Sequence, residues 1–397
     1  MRVLMTSDVY FPRINGVSTS IETFRTRLVA QGVEVHLVAP DYGHGTSPAW
    51  VTRVPGRSLP GDPEDRLLRW GAMHRTVGEF AAGFDLVHIQ TPFVAHYAGL
   101  KAARRHGLPV IATYHTLFEE YLQHYARYLP AGLVRKQARA WSRRQCNALD
   151  AVVVPSQAMV ERLGEYGVTT PMHVLPTGIP LANFSGGNGA AFRARHGIEA
   201  GRPVALYVGR VAHEKNIGFL LEMMAALRSR CPEALLLITG EGPAMGELLH
   251  RAERLQLMDR VRFIGYLDRA RELPDCYAAA DAFVFASRTE TQGLVLLEAM
   301  AAGLPVVALS VMGTADILAP GRGALVPPDD PLAFAATLAD FFNRPAMRAG
   351  LACEARLYAA EWSDTAMARR LAHLYEKIID ANSRGDAWKV HTKAEPA

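Results

Sequence analysis

Residues Glu290 to Val307 read E-T-Q-G-L-V-L-L-E-A-M-A-A-G-L-P-V-V and carry the strongest functional signal in the chain. Their pattern predicts a helix that begins near Gly293 and ends at a glycine and a proline, with an apolar strand after it. Glu290 then falls in the loop before the helix, and Glu298 falls within its second turn. The first N–H groups of a helix lack partners inside the helix and suit a phosphate. The stretch is therefore suited to a sugar nucleotide, which has hydroxyls beside phosphates.

Short apolar strands alternate with amphipathic helices along the rest of the chain, in two series. The first series has predicted strands at Arg2–Thr6, Val33–Ala39, Asp85–Gln90, Pro109–Thr113, Ala151–Pro155 and Met172–Leu175. The second has them at Val204–Val208, Leu235–Thr239, Val261–Ile264, Ala282–Ala286 and Pro305–Leu309. The predicted fold class is α/β, with two Rossmann-like doubly wound domains facing across a cleft. In such sheets ligands bind outside the carboxyl ends of the strands.

The length of 397 residues exceeds what one ordinary core needs, which also favours two domains. The segment N-F-S-G-G-N-G at 183–189 has the composition of a linker. We therefore expect domains at 1–185 and 186–364, followed at 365–397 by a helix that crosses both domains and a mobile tail. The first helix is expected to begin at a capping box formed by Thr19 and Glu22.

Composition excludes several classes of protein. The chain is 49% hydrophobic and 21% charged, which is ordinary for a globular protein. A net charge of +4 is too slight to indicate nucleic acid as a partner, and no apolar run is long enough for a membrane span. The cysteines are far apart in sequence, which argues against zinc and disulfides and favours a reducing cytoplasm. They are Cys146, Cys231, Cys276 and Cys353.

Two cationic residues follow the predicted strand Val204–Val208, in the sequence G-R-V-A-H-E-K-N. Arg210 and Lys215 are placed to hold a diphosphate and to offset charge on a leaving nucleoside diphosphate. The alternative is that both are ordinary solvated loop residues. Gly240, in the turn T-G-E-G-P after the next strand, lets the backbone approach a ligand closely. The chain has no G-x-G-x-x-G fingerprint and no G-x-x-x-x-G-K-[ST] loop, so a dehydrogenase and a nucleotide triphosphatase are disfavoured.

Three motifs together carry a family resemblance: G-R-V-x-x-E-K-N, T-G-E-G-P and the stretch that opens with E-T-Q-G-L. In this order and spacing they resemble the retaining glycosyltransferases of family 4, which have the GT-B fold. The resemblance implies that Glu290 contacts hydroxyls of the donor sugar and that Glu298 contacts the ribose hydroxyls. It also implies that Arg210 and Lys215 bind the diphosphate.

The same resemblance assigns roles outside the glutamate motif. The backbone at Gly293 and Leu294 would complete the phosphate site. In the first domain, which would bind the acceptor, the glycine-bearing loop of the family corresponds to Gly16 and its neighbours. The cleft histidine corresponds to His115 in T-Y-H-T and would lie over the transferred sugar. From the residues alone, a lone histidine is more often structural.

The motif differs from that of many family members at Thr291 and Gln292, since those proteins have Gly-Phe after the first glutamate. This variant resembles the diacylglycerol glycosyltransferase branch and leaves the donor sugar open. Paired carboxylates also occur in glycosidases, but a hydrolase has no need of Arg210 and Lys215 directed at phosphates. Retention is expected by same-face attack with the leaving phosphate as base. No metal or other cofactor is required on that scheme, and the sequence has no D-x-D loop that would argue for one.

The acceptor is sought in a segment that follows His115. Aromatic residues recur there at three- and four-residue steps, a pattern that core helices also show. They are Tyr114, Phe118, Tyr121, Tyr125 and Tyr128. A basic helical stretch around Trp141 comes next, and it is typical either of an interfacial helix on anionic lipid or of a solvated helix. Its basic residues are Arg135, Lys136, Arg139, Arg143 and Arg144.

The sequence therefore predicts a cytoplasmic hexosyltransferase that is peripheral on the inner face of the cell membrane. Its expected donor is UDP-glucose or a related UDP-sugar, and its expected acceptor is a membrane lipid such as diacylglycerol, joined by an α-glycosidic bond. One alternative is a GDP-mannose-dependent mannosyltransferase that acts on a phosphoinositide or a soluble glycan. Another alternative is a sugar-nucleotide binding module without turnover.

Overall fold

The computed structural model describes residues 1–43, 47–59, 62–115 and 131–385, which divide into two compact units. The first unit comprises Met1–Gly178 together with the chain from Asp364 onward, and the second comprises Ile179–Ser363. The two ends of the second unit pair with each other, because the N–H of Ile179 donates to the carbonyl of Trp362 at 3.0 Å.

The first unit is a seven-stranded parallel sheet with the order β3-β2-β1-β6-β7-β8-β9, together with a small antiparallel pair, β4-β5. Its strands are β1 (Arg2–Thr6), β2 (Glu34–Pro40), β3 (Val51–Val54), β4 (Gly56–Leu59), β5 (Asp62–Leu68), β6 (Leu86–Ile89), β7 (Val110–Thr113), β8 (Ala151–Val154) and β9 (Met172–Val174). Its described helices before the second unit are α1 (Gly16–Val29), α2 (Trp70–Ala81), α3 (Val94–His106), α4 (Ala131–Cys146) and α5 (Gln157–Glu165).

The second unit is a six-stranded parallel sheet with the order β12-β11-β10-β13-β14-β15. Its strands are β10 (Val204–Val208), β11 (Leu235–Thr239), β12 (Val261–Gly265), β13 (Ala282–Phe285), β14 (Val306–Ala308) and β15 (Ala324–Leu325). Its helices are α6 (Gly189–Arg195), α7 (Ile217–Leu227), α8 (Met245–Arg254), α9 (Glu272–Ala279), α10 (Leu294–Ala301), α11 (Gly313–Leu318), α12 (Pro331–Phe342) and α13 (Pro345–Glu361). The last described helix, α14 (Asp364–Ser383), belongs to the first unit.

The predicted α/β class with two doubly wound halves is confirmed. Each predicted strand is present within one or two residues at either end, since continuous apolar runs are typical of parallel strands that are covered on both faces. The predicted start of the first helix is wrong. The helix begins at Gly16, and Asn15 and Ser18 form its capping box, with the side-chain oxygen of Asn15 accepting from the N–H of Ser18 at 2.9 Å.

The glycine-rich segment at 183–189 does not separate the units, and the division lies at Gly178 and Ile179 rather than at 185 and 186. This segment packs against α9 within the second unit. A Cβ added to Gly187 would lie 2.1 Å from the carbonyl oxygen of Pro274. The glycines therefore permit close packing of backbone on backbone rather than the flexibility of a linker.

Helix α14 packs on α1 inside the first unit, whereas the sequence suggested that it crosses both domains. Its buried face includes Leu371 and Tyr375, which join a core cluster with Phe24. Arg27 and Asp364 form an ion pair at 2.6 Å between the two helices. Residues 386–397, which contain most of the tail predicted from Asn382, lie outside the described residues.

The core of the first unit contains a buried polar network. His88, in β6, forms hydrogen bonds with the hydroxyl of Tyr375 at 2.6 Å and with the hydroxyl of Thr113 at 2.7 Å. Burial lowers the pKa of His88 to about 3 and the pKa of His96 to about 4. Both rings are therefore neutral in the folded protein at pH values where an unfolded chain would protonate them.

We predict that the unfolding free energy falls between pH 6.5 and pH 5. His88, His96 and His115 have pKa values of about 3, 4 and 4 in the folded protein, so the unfolded chain takes up three more protons as the pH falls below 6.5. Asp8 acts in the opposite direction, because burial raises its pKa in the folded protein to about 6. The folded chain therefore takes up one proton that the unfolded chain does not take up in this range. The net loss should be about 1 to 3 kcal/mol per pH unit, measured by urea unfolding. A free energy that is constant or higher at pH 5 would contradict this prediction.

Candidate functional site

The loops that follow β10, β11 and β12 pack backbone against backbone at the carboxyl edge of the second sheet. The N–H of Gly209 donates to the carbonyl of Thr239 at 3.1 Å, and the N–H of Gly240 donates to the carbonyl of Gly265 at 2.8 Å. A Cβ added to Gly240, whose φ is +121°, would lie 2.0 Å from the carbonyl oxygen of Gly209. The packing of these loops therefore requires glycine at position 240, and this requirement does not depend on a ligand.

Arg210 and Lys215 lie in the loop after β10, as the sequence predicted. The hydroxyl of Tyr207 donates to the backbone carbonyl of Arg210 at 3.1 Å, and the side chain of Arg210 is exposed. Lys215 ends a short 3₁₀ turn, His213–Lys215. The next residue, Asn216, has a φ of +55°, and its side-chain amide donates to the carbonyl of Ala286 after β13 at 3.0 Å. This bond ties the cationic loop to the strand that leads toward Glu290.

Lys215 and Glu290 meet at this edge. The ammonium group of Lys215 pairs with Oε1 of Glu290, and both side chains are about one-fifth exposed, at 21% and 20%. The loop of Glu290 is held from the other side, where the N–H of Gly313 donates to the carbonyl of Glu290 at 2.8 Å. A Cβ on Gly313 would lie 2.1 Å from the carbonyl oxygen of Thr291. A cation and a carboxylate are thus fixed together with access to solvent.

Gly293 is the N-cap of α10, with a φ of +86°, and Leu294 is the first residue of the helix. Among the residues that the structure describes, no side chain caps this helix. The start of α10 therefore has the free donor groups that an anion would bind. Both residues lie in the same unit as Lys215 and Glu290, as the sequence predicted.

Glu298 lies in the second turn of α10 and is buried, with its side chain 5% exposed. Its Oε2 accepts a hydrogen bond from the hydroxyl of Tyr277 at 3.0 Å, and its Oε1 pairs with the guanidinium of Arg269. The sequence prediction did not include Arg269 and Tyr277. The available signal was the position of Arg269, four residues past the end of β12 and close to the exposed Tyr266.

Two predicted residues belong to the first unit. Gly16 is the first residue of α1, and a Cβ added there would contact nothing within 4 Å. His115 follows β7, and its Nε2 bonds to Oε1 of Gln90 at 3.0 Å. Burial lowers the pKa of His115 to about 4, so the ring is neutral at pH 7. An amide oxygen only accepts, and Nε2 therefore carries the proton of the neutral ring.

The predicted basic helix is α4, and its outer face is basic. Arg135, Lys136 and Arg144 are exposed. Trp141 does not point outward as a membrane anchor would, because its indole N–H donates to the hydroxyl of Tyr97 at 2.7 Å. Arg139 lies over the ring of Tyr166, 5.2 Å from its centre.

Of the predicted aromatic stripe, Tyr114 lies within the described residues. Its hydroxyl forms a hydrogen bond with the hydroxyl of Ser142 on α4 at 3.0 Å. Phe118, Tyr121, Tyr125 and Tyr128 lie outside the described residues. Within the described ranges, no helix combines the length and the apolar character needed to cross a membrane. In the same ranges, no three His, Cys, Asp or Glu side chains are grouped so that they could hold a metal ion.

Known protein families match both units of the chain. The family described as Glycosyltransferase Family 4 matches residues 14–183, and the family described as Glycosyl transferases group 1 matches residues 189–358. The alpha-monoglucosyldiacylglycerol synthase of Streptococcus pneumoniae is 34% identical over 78% of this chain and 71% of its own length. The GDP-mannose-dependent alpha-mannosyltransferase of Mycobacterium tuberculosis is 31% identical over 83% of this chain and 84% of its own length.

A solved structure supports the fold. The crystal structure of Anabaena Alr3699/HepE in complex with UDP matches with a TM-score of 0.76 over 95% of this chain and 100% of that chain. Their sequences are 17% identical, so the likeness concerns the fold, which is the GT-B fold of glycosyltransferases.

We predict that Gly240→Ala destabilises the second unit. Its methyl group would overlap the carbonyl oxygen of Gly209, and its φ of +121° is unfavourable for alanine. The expected loss is about 2 kcal/mol of unfolding free energy, measured by urea denaturation.

Gly246→Ala in α8 is the matched control, because a Cβ there would contact nothing within 4 Å. This substitution should leave stability unchanged or raise it by about 1 kcal/mol. Equal stability of the two variants would contradict the proposed packing role of Gly240.

Proposed function

Because the chain belongs to the family 4 glycosyltransferases, we propose that it moves a hexose from a UDP-sugar, UDP-glucose or a relative of it, to a membrane lipid such as diacylglycerol. The observation that carries the donor side is the meeting of Lys215 and Glu290 beside the start of α10. The similarity to an alpha-monoglucosyldiacylglycerol synthase supports the lipid acceptor.

The donor would bind along the carboxyl edge of the second sheet. Arg210 and Lys215 would hold the diphosphate, together with the backbone at Gly293 and Leu294. Lys215 is already placed by its pairing with Glu290, and Arg210 is free to turn because its side chain is exposed. Positive charge at this position lowers the barrier most when charge builds on the departing diphosphate.

Glu290 would accept hydrogen bonds from hydroxyls of the donor sugar, and Glu298 would accept them from the ribose. The ammonium of Lys215 pairs with Oε1 of Glu290 and so holds this carboxylate in place at the edge of the sheet. From the first unit, Gly16 and His115 would contribute, His115 as a neutral ring beside the transferred sugar.

Transfer would proceed with retention. The acceptor hydroxyl oxygen attacks the anomeric carbon on the face from which the diphosphate departs, and the bond between that carbon and the phosphate oxygen breaks. The hydroxyl proton passes to the departing phosphate oxygen, and the product has an α-glycosidic bond. Arg210 and Lys215 supply the positive charge, so the scheme needs no metal ion.

The acceptor side is proposed to meet the membrane through α4. Its exposed Arg135, Lys136 and Arg144 suit an anionic surface, at about 1 kcal/mol for each basic residue near the lipid. The enzyme would then be peripheral on the inner face of the cell membrane, in contact with the cytoplasm.

A second candidate is transfer of mannose from GDP-mannose to a phosphoinositide or a soluble glycan. It is favoured by the likeness to the GDP-mannose-dependent alpha-mannosyltransferase. A binding module without turnover is a third possibility. Membership of a glycosyltransferase family, with relatives that are named as a synthase and a transferase, argues against it.

We predict that Glu290→Gln lowers the rate of hexose transfer about 10- to 100-fold. The amide loses the charge-assisted hydrogen bonds to the donor sugar and the pairing with Lys215. The measurement is glycolipid formation from UDP-glucose and vesicles that contain diacylglycerol, with product detection by mass spectrometry.

The control is Glu253→Gln, which changes an exposed carboxylate on α8. It should leave transfer unchanged. The role of Glu290 would be refuted if its variant transferred hexose as fast as the Glu253 variant.

We predict that reversing three charges on α4 releases the protein from vesicles. The triple variant Arg135→Glu, Lys136→Glu and Arg144→Glu changes exposed residues, and it should weaken binding to anionic vesicles by at least about 100-fold. Co-sedimentation with vesicles measures binding, and calorimetry should show unchanged affinity for the donor.

The matched control reverses Arg230, Arg254 and Arg344, which are exposed in the second unit. It makes the same change in net charge at another place. If both triple variants bound vesicles equally well, the membrane role of α4 would be wrong.

A further inference from the structure

Glu298 is a buried carboxylate with both oxygens already engaged. Its side chain is 5% exposed, Oε2 accepts from the hydroxyl of Tyr277 at 3.0 Å, and Oε1 pairs with Arg269. An ionised carboxylate offers about four lone-pair positions to donors. Among the residues that the structure describes, Tyr277 and Arg269 each donate to one of the two oxygens, so one position on each oxygen remains. Two neighbouring hydroxyls of one ligand would fill these two positions.

Arg269 links this buried carboxylate to the surface. Its side chain is 51% exposed, and its Nη2 pairs with Oε1 of the buried Glu298. The loop that carries it is fixed by Asp268, whose side chain accepts from the N–H of Ala270 at 3.1 Å and from that of Arg271 at 2.9 Å. The backbone therefore presents Arg269 in a defined place beside Glu298.

Tyr277 bonds to the other oxygen of the carboxylate, Oε2. It lies on α9 and is buried, and its ring packs against Phe184 and Phe283. Burial and the neighbouring Glu298 raise the pKa of Tyr277 well above its ordinary value, so its hydroxyl stays protonated and donates. The Glu298 charge also raises the pKa of Arg269, against the effect of burial. Both partners therefore remain donors throughout the physiological pH range.

We propose that Arg269 and Tyr277 are positioning residues for ribose recognition: they hold the carboxylate of Glu298 in an orientation in which its two remaining lone-pair positions accept the 2′ and 3′ hydroxyls of the nucleotide. This inference rests on the proposed function, in which Glu298 binds the ribose. An ionised carboxylate in a buried site needs a nearby cation and hydrogen-bond donors. Arg269 supplies the charge, and Tyr277 fixes the rotation of the carboxylate group.

An action of Arg269 through Glu298 can be distinguished by experiment from a direct contact of Arg269 with the nucleotide. A group that touches the base or the phosphates contributes equally to binding of a ribonucleotide and its 2′-deoxy analogue. A group that acts through Glu298 contributes only when the hydroxyl is present. The ratio of the two dissociation constants therefore measures how far Arg269 and Tyr277 contribute to binding by positioning Glu298.

The test measures dissociation constants for UDP and 2′-deoxy-UDP by calorimetry on the full chain, with GDP and 2′-deoxy-GDP as the second pair. We expect the wild-type protein to bind the ribonucleotide about 10-fold or more tightly than the deoxynucleotide. In Arg269→Met and Tyr277→Phe this ratio should fall toward one, because the ribonucleotide loses affinity and the deoxynucleotide does not. Arg269→Lys should restore part of the ratio, since it restores the charge.

Arg271→Met is the matched control. Arg271 is exposed in the same loop, and its backbone N–H, which bonds to Asp268, is kept in the variant. Its ratio should equal that of the wild type. Melting temperatures of all variants show whether each has folded, and Arg269→Met changes a half-exposed side chain in a loop fixed by other residues.

Glu298→Gln distinguishes failure of the inference from failure of the proposed function. If its ratio falls to one while Arg269→Met and Tyr277→Phe keep the wild-type ratio, the positioning role is overturned and ribose binding by Glu298 stands. If Glu298→Gln itself keeps the wild-type ratio, the assignment of Glu298 to the ribose is overturned as well. Equal losses for both nucleotides in Arg269→Met would show direct contact with the nucleotide and would also overturn the positioning role.

Discussion

The parallel pairing of β10 with β11 on one side and β13 on the other is the constraint on which the candidate site depends. Every residue of β10 is buried, and its register with both neighbours is regular. Parallel strands bring their carboxyl ends to one edge of a sheet, so the loops after them converge there. For this reason Lys215 and Glu290, which are 75 residues apart in sequence, form an ion pair.

Much of the fold could be predicted because its central strands are continuous apolar runs. β3 was missed because it lies at the edge of its sheet, has one neighbour, and reads V-T-R-V with a charged residue. β15 was missed because two residues are too few for a pattern. The prediction of a linker at 183–189 was wrong because glycine occurs both in flexible linkers and where two backbone segments pack closely. Composition does not distinguish these two cases. The close approach of the Gly187 backbone to the carbonyl of Pro274 shows that this segment is packed.

The proposed donor site was predictable from the sequence because its motifs lie next to the ends of strands. The positions of Arg210, Lys215, Glu290 and Glu298 follow from such motifs. The partners of Glu298 do not, because Tyr277 is 21 residues away on another helix and only the folded chain brings them together. Similarly, no local pattern indicates that Gln90 orients His115. The basic face of α4 was visible in the sequence, but helical composition alone could not show that Trp141 turns inward to Tyr97.

The proposed donor site lies on the sheet of the second unit and the proposed acceptor surface lies on the first unit, and the proposal is that a hexose passes from a nucleotide sugar to a lipid. The most direct measurement supplies the purified protein with UDP- and GDP-sugars in turn, each with diacylglycerol vesicles or with soluble acceptors, and identifies the products by mass and by the configuration of the new bond. The expected product is an α-linked hexosyl diacylglycerol that forms from a UDP-sugar in the presence of vesicles. Product from soluble acceptors alone, or hydrolysis of the donor without any transfer, would contradict it.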